Sequence, residues 1–203
     1  MKFVKKNAVL VLFVSVVCVF PCAEAADWPM WRYDPARTAM SPEKLPEQLE
    51  LCWSRQFTPR NPCWPDPLNV DLMPYDLVFE PIVLGNRLFI GFNDADKVLA
   101  LDTDTGETAW CFYTDAPVRL PGVARDGRVY FAADDGRLYC LDAETGALHW
   151  RFEGAPYDRR ILGNSRLIST WPARGGPVLV DGVVYFGAGI WPFMGTFLYA
   201  LDA

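Results

Sequence analysis

Residues 100–110 read Ala100-Leu101-Asp102-Thr103-Asp104-Thr105-Gly106-Glu107-Thr108-Ala109-Trp110. At a spacing of 40 residues the chain reads Cys140-Leu141-Asp142-Ala143-Glu144-Thr145-Gly146-Ala147-Leu148-His149-Trp150. A third copy appears as Leu198-Tyr199-Ala200-Leu201-Asp202-Ala203, matching Leu138-Tyr139-Cys140-Leu141-Asp142-Ala143. Ahead of it, Asp181-Gly182-Val183-Val184-Tyr185-Phe186 matches Asp126-Gly127-Arg128-Val129-Tyr130-Phe131. A partial copy upstream, Leu49-Glu50-Leu51-Cys52-Trp53, reads like Gly146-Ala147-Leu148-His149-Trp150. Self-similarity at this period marks an architecture of stacked units, each too small to bury its own apolar face.

The unit is all β. In the second copy, residues 121–124 predict a short apolar strand, 128–133 an alternating one, 137–142 a third and 147–152 a fourth. Asp126-Gly127 and Asp135-Gly136 read as hairpin turns, since glycine takes positive φ without steric cost. Glu144-Thr145-Gly146 reads as the third turn. Four antiparallel strands repeated at this length make a propeller blade. Helical solenoids are excluded, because no window sustains a 3.6-residue apolar period.

The phrase Ala-x-Asp-x-x-Thr-Gly-x-x-x-Trp, met in full at 100–110 and with Cys140 in the alanine place at 140–150, resembles the docking motif of quinoprotein propellers. The chain is therefore similar to pyrroloquinoline-quinone-like (PQQ-like) β-propeller repeat proteins over roughly residues 28–203, including Asp27-Trp28-Pro29-Met30-Trp31. The resemblance implies an all-β propeller of four-stranded antiparallel blades, with Trp53, Trp110 and Trp150 packing between neighbours and Gly106 and Gly146 setting the last hairpin. The expected organisation is a signal peptide over 1–25 and a leading segment over 26–79, with an outer strand at 49–57. Blades follow over 80–119, 120–175 (with an insertion) and 176–203. About three blades are expected, the third ending after its third strand. The ring is then incomplete, and either further blades of a longer chain or another chain would complete it. Alone, the expectation is aggregation or oligomerisation.

Composition agrees and narrows function. Hydrophobic residues form 51% and aromatic residues 14%, which excludes a disordered chain. The net charge of -6 argues against a nucleic-acid partner, which needs a basic face. Lys2, Lys5 and Lys6, an uncharged run over 8–20 and Ala23-Glu24-Ala25 form the three parts of a secretory signal. The run is shorter than the roughly 20 residues a bilayer span requires, so no span is expected after cleavage. An uncleaved anchor, or a lipoprotein using Cys18 or Cys22, is the alternative. Export to the periplasm or outside the cell is expected, where disulfides persist. Cys52, Cys63, Cys111 and Cys140 allow three pairings. Cys52 with Cys63 across the proline-rich 58–67 loop is the leading candidate, against free thiols acting as small apolar residues.

The candidate ligand loop is the break in the repeat. Pro121 to Pro177 spans 56 residues where the period is 40. The inserted stretch, within 156–176, carries Arg159, Arg160, Asn164, Arg166, Trp171 and Arg174. Long loops that break a repeat sit on one face and often bind. Arginines beside a tryptophan suit an anionic group or a sugar; the plain alternative is a structural plug. The apolar insertion 189–196, with Trp191 and Phe193, is expected to pack on it. Other motifs yield less. Asp102-x-Asp104-x-Gly106 starts like a calcium loop but lacks its later ligands, and Asn93-Asp94-Ala95-Asp96 reads as a hairpin tip. His149, the single histidine, falls on the strand face opposite Trp150, and there is no Gly-x-Ser-x-Gly elbow. No metal site and no catalytic residue is expected, and the cofactor-binding residues stay open. The favoured reading is a non-catalytic binding or scaffold module with a protein, anionic or sugar partner. The alternative implied by the resemblance is the N-terminal part of a PQQ-dependent alcohol or sugar dehydrogenase using PQQ with calcium.

Overall fold

The computed structural model describes residues 26–58, 79–163 and 166–203; the signal-peptide reading, Cys63 and Asn164 lie outside them. Two four-stranded antiparallel sheets carry the repeat. The first runs β1 (Ile82–Leu84), β2 (Arg87–Phe92), β3 (Lys97–Asp102) and β4 (Thr108–Tyr113) in sequence order. The second runs β5 (Val123–Arg125), β6 (Arg128–Ala132), β7 (Arg137–Asp142) and β8 (Leu148–Glu153). The insertion forms a separate hairpin, β9 (Arg160–Gly163) with β10 (Arg166–Ser169). A three-stranded sheet follows: β11 (Val178–Val180), β12 (Val183–Ala188) and β13 (Phe197–Asp202). A 3-10 turn at Pro192–Met194 interrupts the connection between the last two strands. The β5–β6 turn has positive φ at both Asp126 and Gly127, and the β11–β12 turn repeats this at Asp181 and Gly182. That geometry matches the right-handed twist of the strands it joins.

Strand alternation distributes the core between blades. Val129 and Phe131 of β6, with Tyr139 and Leu141 of β7, pack against Ile82, Phe89, Val98 and Trp110 of the first sheet. Their neighbours Tyr130, Ala132, Leu138 and Cys140 face the other way, onto Leu179, Val184 and Phe186 of the third sheet. The period of two thus supplies both faces of the middle blade. This explains why its two central strands are almost continuously apolar.

The repeated phrase is a turn and a clasp. Asp102 Oδ1 accepts hydrogen bonds from the amides of Asp104 (3.1 Å) and Thr105 (3.0 Å) and from the Thr105 hydroxyl (3.0 Å). Asp142 repeats this with Glu144 and Thr145 at 3.1, 2.8 and 2.8 Å. Gly106 and Gly146 then take φ of 71° and 73°. Each glycine lies under the tryptophan of the preceding unit: a Cβ on Gly106 would stand 2.6 Å from the Trp53 ring, and one on Gly146 2.6 Å from Trp110. Each indole also donates to the carbonyl after the motif aspartate, Trp53 to Thr103 at 2.7 Å and Trp110 to Ala143 at 3.0 Å. The Thr145 donors hold the Asp142 carboxyl below its ordinary range. A group whose pKa is lowered by folding stabilises above its unfolded pKa, and that contribution fades as pH falls through the folded value. Asp142→Ala should therefore lower the melting temperature at neutral pH and lose this deficit in acid, measured by thermal melts from pH 7 to 3.

One expectation is corrected. Residues 51–58 form no strand, although Trp53 sits where the clasp requires and Arg55 donates to the Gly106 carbonyl and the Thr108 hydroxyl, each at 2.8 Å. The segment is held by side chains, so no ladder forms. Trp150, half-buried where Trp110 is 8% exposed, packs as expected against the core shared with the third sheet. It has the expected aromatic neighbour, Tyr130, as Trp110 has Phe89. Among the described residues Cys52, Cys111 and Cys140 are free thiols; the Cys52–Cys63 pairing reaches outside those residues.

The leading segment staples the sheets on their inner edges. Trp28 pairs with Val83 of β1 and Met30 with Val123 of β5. Arg37 donates to the carbonyls of Trp31 at 2.6 Å and Gly176 at 3.2 Å, reaching the third sheet.

Candidate functional site

Antiparallel order places the β2–β3, β4–β5, β6–β7, β8–β11 and β12–β13 connections at one end of the blades. The inserted hairpin belongs to this end, and so does every candidate ligand residue within the described chain. The β9–β10 register sets Ile161 opposite Ile168 and Leu162 opposite Leu167. Ile168 is buried, whereas Leu162 and Leu167 stand exposed. The second insertion packs on the first as expected: the Trp171 indole donates to Met194 O at 2.8 Å and Gly189 N to Pro172 O at 3.0 Å.

The structure separates the five loop residues that it describes. Trp171 is buried beside Tyr157 and is a packing residue. Arg159 is exposed. Arg160 faces Asp115 at 3.7 Å and Asp158 at 3.6 Å. Arg166 donates to Asp96 in the β2–β3 turn. Arg174 grips Asp134 with two bonds, Nε to Oδ1 at 3.1 Å and Nη2 to Oδ2 at 3.0 Å.

Asp134, which the sequence reading passed over, is the centre of this end. Its side chain is 1% exposed and also accepts from Arg119 Nε at 2.5 Å, itself 4% exposed. Arg119 and Arg174 occupy equivalent places. Val118 N donates to Phe92 O at 3.2 Å, and Ala173 N to Ala133 O at 3.1 Å, so both loops dock on the preceding blade alike. The signal was present as Pro117-Val118-Arg119 against Pro172-Ala173-Arg174. In the third sheet Gly189 holds the place of Asp134, since Asp134 N bonds Pro117 O and Gly189 N bonds Pro172 O. Two guanidiniums therefore meet at one buried carboxylate, in a half-dry setting where charge acts strongly. Asp135 next door is buried, which pushes its carboxyl up; it accepts from the Tyr139 hydroxyl at 2.5 Å and the Arg137 amide at 3.0 Å.

These residues do not by themselves fit a calcium-held quinone. Calcium needs several oxygen ligands free to converge. Here Asp96, Asp134 and Asp135 each already accept from arginine or tyrosine. Among the described residues no three histidine, cysteine or acidic side chains gather into a metal site.

Blades with this shared turn and clasp define a β-propeller of PQQ-like repeats. The chain belongs to the family described as outer membrane protein assembly factor BamB, whose profile matches residues 52–193. It is 31% identical over 120 residues to the dehydrogenase subunit of the quinone alcohol dehydrogenase of Gluconobacter oxydans, covering 54% of this chain and 15% of that one. It is 32% identical over 82 residues to BamB of Moranella endobia, covering 35% and 21% respectively. The chain thus spans about a fifth or less of these relatives. Among solved structures, a quinohemoprotein alcohol dehydrogenase from Pseudomonas putida HK5 matches with a TM-score of 0.50 at 26% identity, over 61% of this chain and 18% of that one. A europium-containing methanol dehydrogenase matches with a TM-score of 0.58 at 17% identity, over 87% and 30%, which shows the fold alone.

Proposed function

We propose that this chain is an exported, periplasmic or extracellular β-propeller module that binds or scaffolds through the blade end carrying the β9–β10 hairpin. The observation that supports this is the clustering of Arg119, Arg174 and Arg166 at one blade end of an otherwise acidic protein. The ligand class it favours is anionic, either a small molecule or an acidic segment of a protein partner. Similarity to a membrane-protein assembly factor supports a protein partner. No helix among the described residues is long and apolar enough to cross a membrane.

Arg159 and Arg160 form the outer rim of the same end. Their joint replacement by alanine should weaken binding of an anionic ligand several-fold and leave the melting temperature within a degree or two, since exposed charges contribute little to stability. Isothermal titration with a panel of carboxylates and phosphates, run beside a thermal melt, checks both halves. A fall in stability with binding unchanged would make the insertion a plug.

A second reading is favoured by the similarity to the Gluconobacter dehydrogenase subunit: the chain as the N-terminal part of a PQQ-dependent alcohol or sugar dehydrogenase. Incubation with quinone and calcium, followed by desalting, tests it. Retained quinone absorbance supports this reading over the non-catalytic one.

A further inference from the structure

The first two blades each turn a rear face to the sheet that follows, and the same repeat positions build it both times. Phe89 and Tyr130 hold one position at 3% and 1% exposure, and Val98 and Leu138 another at 2% and 0%. In the third sheet the register gives those positions to Tyr185 and Leu198, at 40% and 79%. Ala100 and Cys140 are sealed, whereas their counterpart Ala200 is exposed. The first two sheets also carry a fourth strand beyond the third, while β13 is the outermost strand of its sheet. An unpaired strand edge beside an apolar face is a template for another strand.

A segment of the matching kind lies elsewhere in the chain. Alternate side chains of 51–57 turn onto the first sheet. Trp53 donates to Thr103 O at 2.7 Å, Arg55 donates to Gly106 O at 2.8 Å, and Phe57 meets Phe92 at 5.1 Å between ring centroids. That is the period of an extended strand. Trp53 covers the Gly106 turn as Trp110 of β4 covers Gly146. Residues 51–57 therefore lie where the last strand of a preceding blade would lie. Among the described residues they have no ladder partner, and Leu51, Cys52, Ser54 and Gln56 are exposed.

We propose that β13 of one copy takes residues 51–57 of a second copy as its fourth strand, so that the chain associates head to tail with itself. The existing blades set the register: Trp110 stands opposite Ala100 and Trp150 opposite Cys140, which puts Trp53 of the second copy opposite Ala200. Its ring then meets Tyr185, as Trp110 meets Phe89 and Trp150 meets Tyr130. The first sheet of the second copy closes over Leu198. The occupant is this chain because one segment brings the tryptophan, the strand and the blade that must follow. Two such contacts join two copies into a ring of six blades, within the range of about four to eight that close.

Light scattering of the full chain tests the contact. The parent should run as a dimer, and Leu198→Arg, a change at an exposed site, should weaken association at least tenfold with far-ultraviolet circular dichroism unchanged. Lys97 and Arg137, the counterparts of Phe197, stand opposite Tyr113 and Glu153. Gln56→Cys chains mixed with Phe197→Cys chains under mild oxidation should therefore form a 56–197 disulfide, located by peptide mass spectrometry. With the two cysteines on different chains, that link cannot form within one molecule. A monomeric parent, an assembly that Leu198→Arg leaves intact, or a mixture linked only through its native cysteines overturns the head-to-tail contact. An assembly larger than a dimer that Leu198→Arg dissolves and that carries the 56–197 link supports the contact and overturns the closed six-bladed ring.

Discussion

Trp110→Ala lowers the unfolding free energy by about 3–5 kcal/mol, the range for removing a large aromatic side chain from a packed core. The ring is 8% exposed, packs on Phe89, covers the Gly146 turn and satisfies the Ala143 carbonyl. Its loss opens a cavity between two blades and removes a hydrogen bond together. Gly146→Ala attacks the same contact from below. A Cβ at 2.6 Å from the indole cannot be accommodated without movement, and φ of 73° is strained for alanine. Because both changes break one contact, their effects do not add. Denaturant melts of the two single variants and the double variant check this. A double variant equal to the sum of the singles would show that the tryptophan and the turn are independent.

The second large effect belongs to Asp134. Asp134→Leu removes the buried carboxylate from Arg119 Nε and from Arg174, and breaking such a buried pair costs about 3–5 kcal/mol. Most of that cost is an uncompensated charge rather than a lost attraction. Arg119→Leu added to Asp134→Leu should therefore recover much of the loss, because apolar replacement of both partners is often neutral. A double variant as unstable as the single would assign the penalty to packing. The same experiment bears on function: with the shared carboxylate gone, Arg174 turns fully outward and phosphate binding should strengthen.

The blade was legible because it is written in local terms. Asp-Gly pairs need positive φ, Asp102 and Asp142 cap their own turns, and the alternating strands announce two buried faces. Each of these is settled within a few residues of sequence, and the 40-residue period then confirms them jointly. The insertion was legible as an interruption, and its place at one end of the blades followed from antiparallel order.

The site was only partly legible, since charge neutralisation is not local. Six residues were singled out by composition, yet Trp171 packs, Arg166 pairs with Asp96 across 70 residues, and Arg174 reaches Asp134 across 40. Arg119 and Asp134 lay in ordinary stretches of the repeat, and their importance comes from burial in a shared spot. The outer strand expected at 49–57 failed for a related reason. Trp53 and Arg55 find their partners through side chains, and strand propensity says nothing about whether a neighbouring backbone is there to pair. By itself, then, the sequence determined the blade, its turns and its tryptophan clasp, because those depend on dihedral preference and on alternation along one strand. Only the tertiary structure decided which arginines are paired and which carboxylate Arg119 and Arg174 meet, because those depend on charges brought together by packing three sheets side by side.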